Sequence, residues 1–171
     1  MTAASKGPLS RSVHVERLTK DRAEIVVEAT PEECAALARD FKVPAIRDLV
    51  GRFVLSGSLT RLQVGGRVEA VVTQICTVTL EPFEGRVNEP VDVAFTNADI
   101  LNDTDAEEVE LPDPIVNGRI DFGTLTAEFL ALGLDPYPRK SGVAFEPVTA
   151  GEEPQPFSDL AALRDRLGGK D

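Results

Sequence analysis

The chain has few of the residues that most often build catalytic and metal sites. Among its 171 residues are one histidine, two cysteines, one tyrosine and no tryptophan. The two cysteines cannot form a disulfide framework, and with His14 they fall short of the four ligands of a structural zinc site. No apolar run approaches the roughly 18 residues of a membrane-spanning helix, and the N-terminal residues lack the apolar core of a secretory signal. We therefore expect a cytoplasmic protein with no cofactor, metal or membrane partner.

Motifs for the common catalytic mechanisms are also missing. The sequence Val64-Gly65-Gly66 lacks the following Lys-Ser/Thr of a phosphate-binding loop. A Cys–His pair would need Cys76 and His14, but Cys76 is predicted on an apolar strand face. His14, between two valines, is predicted to face water. A buried thiol in apolar surroundings is inert. We expect a protein that is not an enzyme, and an enzyme with an unrecognised site stays open as an alternative.

Charge divides the chain into two unlike halves. The net charge of −11 combines +3 over residues 1–67 with −14 over residues 68–171. Nucleic-acid affinity depends mainly on Lys and Arg neutralising phosphate, so any RNA contact would use the N-terminal half. The acidic half would suit a basic protein, such as a ribosomal protein.

Period-two alternation predicts several strands. The strongest signal runs from Phe53 to Phe83 and indicates one long antiparallel hairpin, with Gly65-Gly66 at its turn. Residues 12–17 and 24–29 are expected to form two paired strands. Residues 86–96 read as a further strand, in which Pro90 favours an edge position or a bulge. The apolar face of the second half of the hairpin is expected to comprise Val68, Ala70, Val72, Cys76, Val78 and Leu80.

Helices are indicated by capping signals and apolar stripes. Thr30, Pro31 and Glu33 form a capping box with proline at the first helical position, which predicts a helix ending near Phe41. Asp121 is expected to cap a second helix over residues 122–132, which Gly133 ends. Its stripe is predicted to be Phe122, Leu125, Phe129 and Leu132. The short amphipathic segment 157–167 predicts a third helix, which must dock either on its own domain or on a partner because isolated short helices are marginal in water.

Together these patterns predict an α+β fold. We expect an antiparallel sheet of about five or six strands, built on the long hairpin, with two or three packed helices. Residues 1–145 would form a single domain. The acidic, proline-rich stretch 146–156 would be a linker, and 157–171 a C-terminal amphipathic tail.

Three segments in this order resemble the YceD family, whose bacterial members are linked to accumulation of large-subunit ribosomal RNA. The first is Val72–Phe83, where members carry a Cys-x-x-Cys and then a Pro-Phe pair. The second joins Gly118–Asp121, Glu128–Leu132 and Pro136–Pro138, and is similar to the family's helix with its proline exit. The third, Pro156–Leu163, is similar to the short tail of many members. The positions that carry the resemblance are Cys76, Pro82, Phe83, Asp121, Glu128 and Pro136.

The resemblance implies a non-catalytic ribosome-biogenesis factor that supports synthesis, processing or stability of large-subunit ribosomal RNA. Thr79 stands where the second family cysteine would be, and residues 139–142 carry no cysteines where some members have a pair. These departures remove the case for a metal and make Cys76 look like a core residue. The expected partner is a large-subunit ribosomal protein or precursor ribosomal particle. It would be bound through the tail residues Phe157, Leu160, Leu163 and Leu167.

Direct binding of ribosomal RNA is the alternative to a protein-mediated role. A basic cluster flanks the predicted hairpin, and plain solvation of a strand face would also explain it. The cluster consists of Arg47, Arg52, Arg61 and Arg67.

Overall fold

The computed structural model describes residues 7–15, 23–97 and 112–144. Over these ranges the chain forms seven strands and two helices. In chain order they are β1 (Ser12–His14), β2 (Ala23–Glu28), α1 (Pro31–Asp40), β3 (Ala45–Ser58), β4 (Arg61–Ile75), β5 (Pro82–Asn97), β6 (Asp113–Ile115), β7 (Arg119–Asp121) and α2 (Phe122–Leu132).

The strands form a mixed five-stranded sheet and a small two-stranded sheet. The order in the large sheet is β2-β3-β4-β5-β6, with β6 parallel to β5 and all other pairs antiparallel. The α+β class is therefore confirmed. The expected pairing of the two N-terminal strands is wrong: β1 pairs with β7, and β2 pairs with β3. This places His14 opposite Arg119, where its side chain is exposed as predicted.

The turn of the long hairpin does not lie at Gly65-Gly66. These glycines are in the middle of β4, and the turn between β3 and β4 falls at Leu59 and Thr60. Gly66 is required for a different reason, because a Cβ atom there would lie 2.0 Å from the carbonyl oxygen of Arg52. The glycine permits a close backbone approach rather than a positive φ.

The predicted strand also ends earlier than its alternation suggested. β4 stops at Ile75, and a tight loop over residues 76–81 leads into β5 at Pro82. Leu80, expected on the apolar face, is 76% exposed and has a φ of 60°. Val68, Ala70 and Val72 are buried as predicted.

Both helices pack on the same face of the five-stranded sheet. Phe53 of β3 lies against Phe122 of α2 with ring centroids 5.3 Å apart, and Leu37 of α1 joins the same buried cluster. The stripe of α2 differs from the prediction at its end: Leu130 is fully buried and Leu132 is 71% exposed. Among the described strands, Pro90 lies in the part of β5 that pairs only with β4, since β6 reaches only Phe95–Asn97.

The prediction for α1 is confirmed in detail. The Thr30 hydroxyl accepts from Glu33 N, and the Glu33 carboxylate accepts from Thr30 N, which completes the capping box. Glu33 also forms a bidentate ion pair with Arg11, at 2.8 and 2.9 Å. Through this pair the segment before β1 is tied to the helix N-terminus.

The predicted linker 146–156 and the tail 157–171 lie outside the described residues. Neither α1 nor α2 is long and apolar enough to cross a membrane.

Candidate functional site

The loop after β4 is organised around the sulfur of Cys76. Cys76 N donates to Glu81 O, and Leu80 N donates to Cys76 O, both at 2.9 Å. The thiol is fully buried, and two backbone N–H groups point at it, from Thr79 at 3.5 Å and from Lys140 at 3.4 Å. We call residues 76–81 the Cys76 loop.

The prediction that Cys76 is buried is confirmed, and the two backbone donors add a polar contact to its sulfur. The residue is buried, but it stands apart from the main apolar cluster. The N–H of Lys140, and then the hydroxyl and N–H of Thr79, stabilise the thiolate and lower the pKa of Cys76 to about 6. Cys34 is buried in the core as predicted. Burial raises the pKa of its thiol.

The segment that leaves α2 packs against the Cys76 loop. Pro138 O accepts from Thr77 N at 2.8 Å, and Asp135 O accepts from the Gln74 side chain at 3.0 Å. Lys140 forms an ion pair with Glu81 at 3.4 Å. The structure therefore brings Cys76 and Glu81, which precede Pro82 and Phe83, together with the exit segment that contains Pro136. Apart from the proline-rich exit, no sequence pattern indicates this contact.

Asp121 lies at a separate place, the N-terminus of α2. Its carboxylate accepts from Gly123 N at 3.0 Å and Thr124 N at 3.1 Å, which confirms the predicted cap. It also accepts from Arg11 N at 2.7 Å and from the Ser10 hydroxyl. Burial raises the pKa of Asp121, but these hydrogen bonds outweigh it and the net shift is downward. Asp121 thus holds the N-terminal segment to the helix.

Glu128 lies farther along α2, beside a cavity of about 430 Å³ that Asp113 also lines. Partial burial and then the neighbouring Asp113 carboxylate raise the pKa of Glu128. A raised carboxylate pKa in a cavity is compatible with acid–base chemistry but does not by itself define a reaction. Among the described residues no group of three or more His, Cys, Asp or Glu side chains is placed to hold a metal ion.

A larger cavity, of about 650 Å³, lies between α1 and β3. Its lining is mostly small and apolar and includes Cys34, Ala38 and Ile46, with Arg39 and Asp48 among the charged residues. Asp48 has a φ of 53° and sits where the register between β3 and β4 shifts. The sequence carried no clear signal of this bulge.

The arginines of the RNA-binding alternative lie along β3 and β4. Arg52 and Arg67 are direct cross-strand partners, and both are exposed. Arg47 is exposed on β3 and pairs with Glu84 of β5. Arg61 lies at the start of β4, beside the β3–β4 turn. The side of the sheet opposite the helices therefore presents exposed arginines, and we call it the outer face.

The fold and these sites define a class: a small α+β protein with helices on one sheet face, an open second face and a hydrogen-bonded loop at the sheet end. A sequence model of one family, described as large ribosomal RNA subunit accumulation protein YceD, matches residues 64–164. This is more than half of the chain, and the chain belongs to the YceD family. The match begins within β4, so β1, β2, α1 and β3 lie before it. No curated protein and no solved structure gives a significant match.

Proposed function

We propose that the protein is a non-catalytic factor in ribosome biogenesis that supports synthesis, processing or stability of large-subunit ribosomal RNA. The observation that carries this proposal is the family match over residues 64–164. The family is named for accumulation of this RNA and not for a reaction. Its name concerns large-subunit RNA but does not say how that RNA is supported.

The route we propose is attachment to an assembling large subunit through protein contacts. A net charge of −11 opposes general affinity for RNA and favours a basic partner such as a ribosomal protein. The apolar tail residues Phe157, Leu160, Leu163 and Leu167 would enter a groove of that partner as an amphipathic helix.

A pulldown with the tagged full chain from native lysate, with and without nuclease, tests this function. We expect large-subunit ribosomal proteins to be recovered in both arms by mass spectrometry. Their loss after nuclease would show attachment through RNA and favour the arginine-based alternative. Absence of every ribosomal component from both arms would contradict the proposed function.

The role of the tail is tested by matched variants in the same pulldown. Replacing Phe157, Leu160, Leu163 and Leu167 with serine should abolish recovery of large-subunit ribosomal proteins. Replacing the polar residues Arg164, Asp165 and Arg166 with serine should leave it unchanged. Equal recovery of both variants would exclude the tail as the contact.

A further inference from the structure

The outer face of the large sheet carries charges in rows that run across the strands. Cross-strand register aligns Arg52 with Arg67, so one row contains two arginines with uncharged neighbours at both ends. The row on one side contains Glu28 and Glu69, and the row on the other contains Glu24 and Asp92. Beyond Glu28 and Glu69 the next row contains two arginines again, and the last row contains a single glutamate. Each row runs across neighbouring strands in the order β2, β3, β4, β5, and the last two rows begin at β3. From one end of the face to the other, the five rows are Glu24/Val54/Gly65/Asp92, Val26/Arg52/Arg67/Pro90, Glu28/Val50/Glu69/Asn88, Arg47/Val71/Arg86 and Ala45/Thr73/Glu84.

Among the described residues, the charged side chains of the two central rows have no ion-pair partner. Over the described residues Arg52, Arg67, Glu28 and Glu69 form no ion pair; on this face only Arg47 and Glu84 do. Like charges directly opposite on neighbouring strands destabilise a sheet, and Arg52 and Arg67 are such a pair. The valines between the charges add apolar surface, and Val26 is 52% exposed. A facing surface with the opposite charge would reduce the repulsion between Arg52 and Arg67.

Alternating rows make this face complementary to itself. Consider a two-fold axis that is parallel to the rows and passes between the Arg52–Arg67 row and the Glu28–Glu69 row. In the resulting dimer, the Arg52–Arg67 row of each copy lies over the Glu28–Glu69 row of the other copy. The same operation places the Glu24–Asp92 row over the Arg47–Arg86 row. A two-fold axis along the strands would instead put every row over its own copy, with like charges in contact. Two-fold dimers with isologous contacts are the commonest homo-oligomers, and facing sheets can pack with their strands within about 30° of each other.

We propose that the outer face binds a second copy of this chain through this row-on-row pairing. Four strands spaced about 4.8 Å apart and about 34 Å of strand length span roughly 650 Å², close to the roughly 800 Å² per partner of a standard interface. RNA fits the face less well, because an acidic row flanks each arginine row and would lie against phosphates. The proposal rests on the sheet and is independent of the proposed ribosomal function.

Two charge variants of the full chain test the pairing by sedimentation velocity. The first, Arg52→Glu with Arg67→Glu, makes both central rows acidic. The second, Glu28→Arg with Glu69→Arg, makes both basic. We expect the unmodified chain to dimerise and each variant alone to dimerise at least tenfold more weakly, because like charges then face each other. Mixing the two variants should restore a one-to-one dimer. Arg119→Glu with Arg139→Glu, away from the face, matches the charge of the first variant and should dimerise normally.

The mixing arm also tests whether the variants are folded, since only folded chains can recover the one-to-one dimer. A monomeric unmodified chain would overturn the proposal, and so would a mixture that stays monomeric. If neither variant affects assembly, but the first loses binding to a ribosomal RNA fragment and the second gains it, the face binds RNA and not a second copy.

Discussion

Among single residues, Cys76 stands out because its sulfur accepts from two backbone N–H groups, although the alternation in this segment predicted an apolar face. Lys140 supplies one of these donors from 64 positions away in the chain. A thiolate that accepts N–H bonds is favoured over a thiol. The loop therefore changes the chemistry of a residue whose sequence context resembles that of a core cysteine.

This change predicts a pH-dependent stability. The folded pKa of Cys76 is about 6, below the roughly 8.5 of an unfolded cysteine. The resulting stabilisation is fully present above about pH 8.5 and is lost as the pH falls through 6. Urea midpoints measured from pH 5.5 to 9 should rise with pH more steeply for the unmodified chain than for Cys76→Ala. Cys34→Ala, which removes the other buried thiol, should keep the rise, and a Cys76→Ala curve parallel to the unmodified one would contradict the assignment.

Asp121 combines a helix cap with a long-range tether. Asp121→Ala should lower the free energy of unfolding by about 1–2 kcal/mol, the range for loss of an N-cap, or somewhat more because Ser10 and Arg11 lose their acceptor. Urea denaturation at pH 7 measures this. Since the folded pKa of Asp121 is lowered, its contribution is present above about pH 4 and disappears on further acidification. Asp121→Asn keeps an acceptor and should cost less; equal losses in the two variants would exclude the capping role.

At the scale of elements, β4 continues through two glycines that the sequence places at a turn. Gly65 and Gly66 are adjacent but differ in their surroundings. A Cβ atom at Gly66 would meet Arg52 O at 2.0 Å, whereas at Gly65 the nearest atom is Val91 O at 3.9 Å. Alanine substitutions at the two positions can therefore be compared directly, since only the one at Gly66 meets a close backbone atom.

Gly66→Ala should therefore destabilise the protein by about 1–3 kcal/mol, the usual cost of forcing atoms into a packed site. Gly65→Ala should be neutral or slightly stabilising, because alanine loses less backbone entropy than glycine on folding. Thermal or urea unfolding of both variants gives the comparison. Equal effects would mean that the close approach of β3 and β4 does not constrain Gly66.

At the scale of the whole molecule, one core joins the family-matched residues to those before them. Half of the buried cluster lies before Val64, including Leu37, Leu49 and Phe53. Strand β3, which precedes the matched residues, pairs with β4 along one of its two edges. Over the described residues, the matched span therefore shares its core and its sheet with the residues before it.

A fragment of residues 64–171 should consequently fail to fold. We expect no cooperative thermal transition by circular dichroism and little dispersion in its proton NMR spectrum, because β4 loses its β3 partner and α2 loses Phe53. The full chain is the control. A fragment with a cooperative transition would show that β5, β6 and α2 are sufficient to cover β4.

Local sequence patterns are sufficient to predict the α+β class, both described helices with their caps and most of the strand segments. They depend on signals within a few residues, such as the Thr30–Glu33 capping box and the Asp121 cap, whereas the family was predicted from three segments in order along the chain. Which strands pair depends on the tertiary structure, since β1 pairs with β7 more than 100 positions away. The tertiary structure also decided where β4 ends and why Gly66 is glycine. The donors around Cys76 and the charge rows of the outer face likewise come from register and long-range contact, which local patterns do not encode.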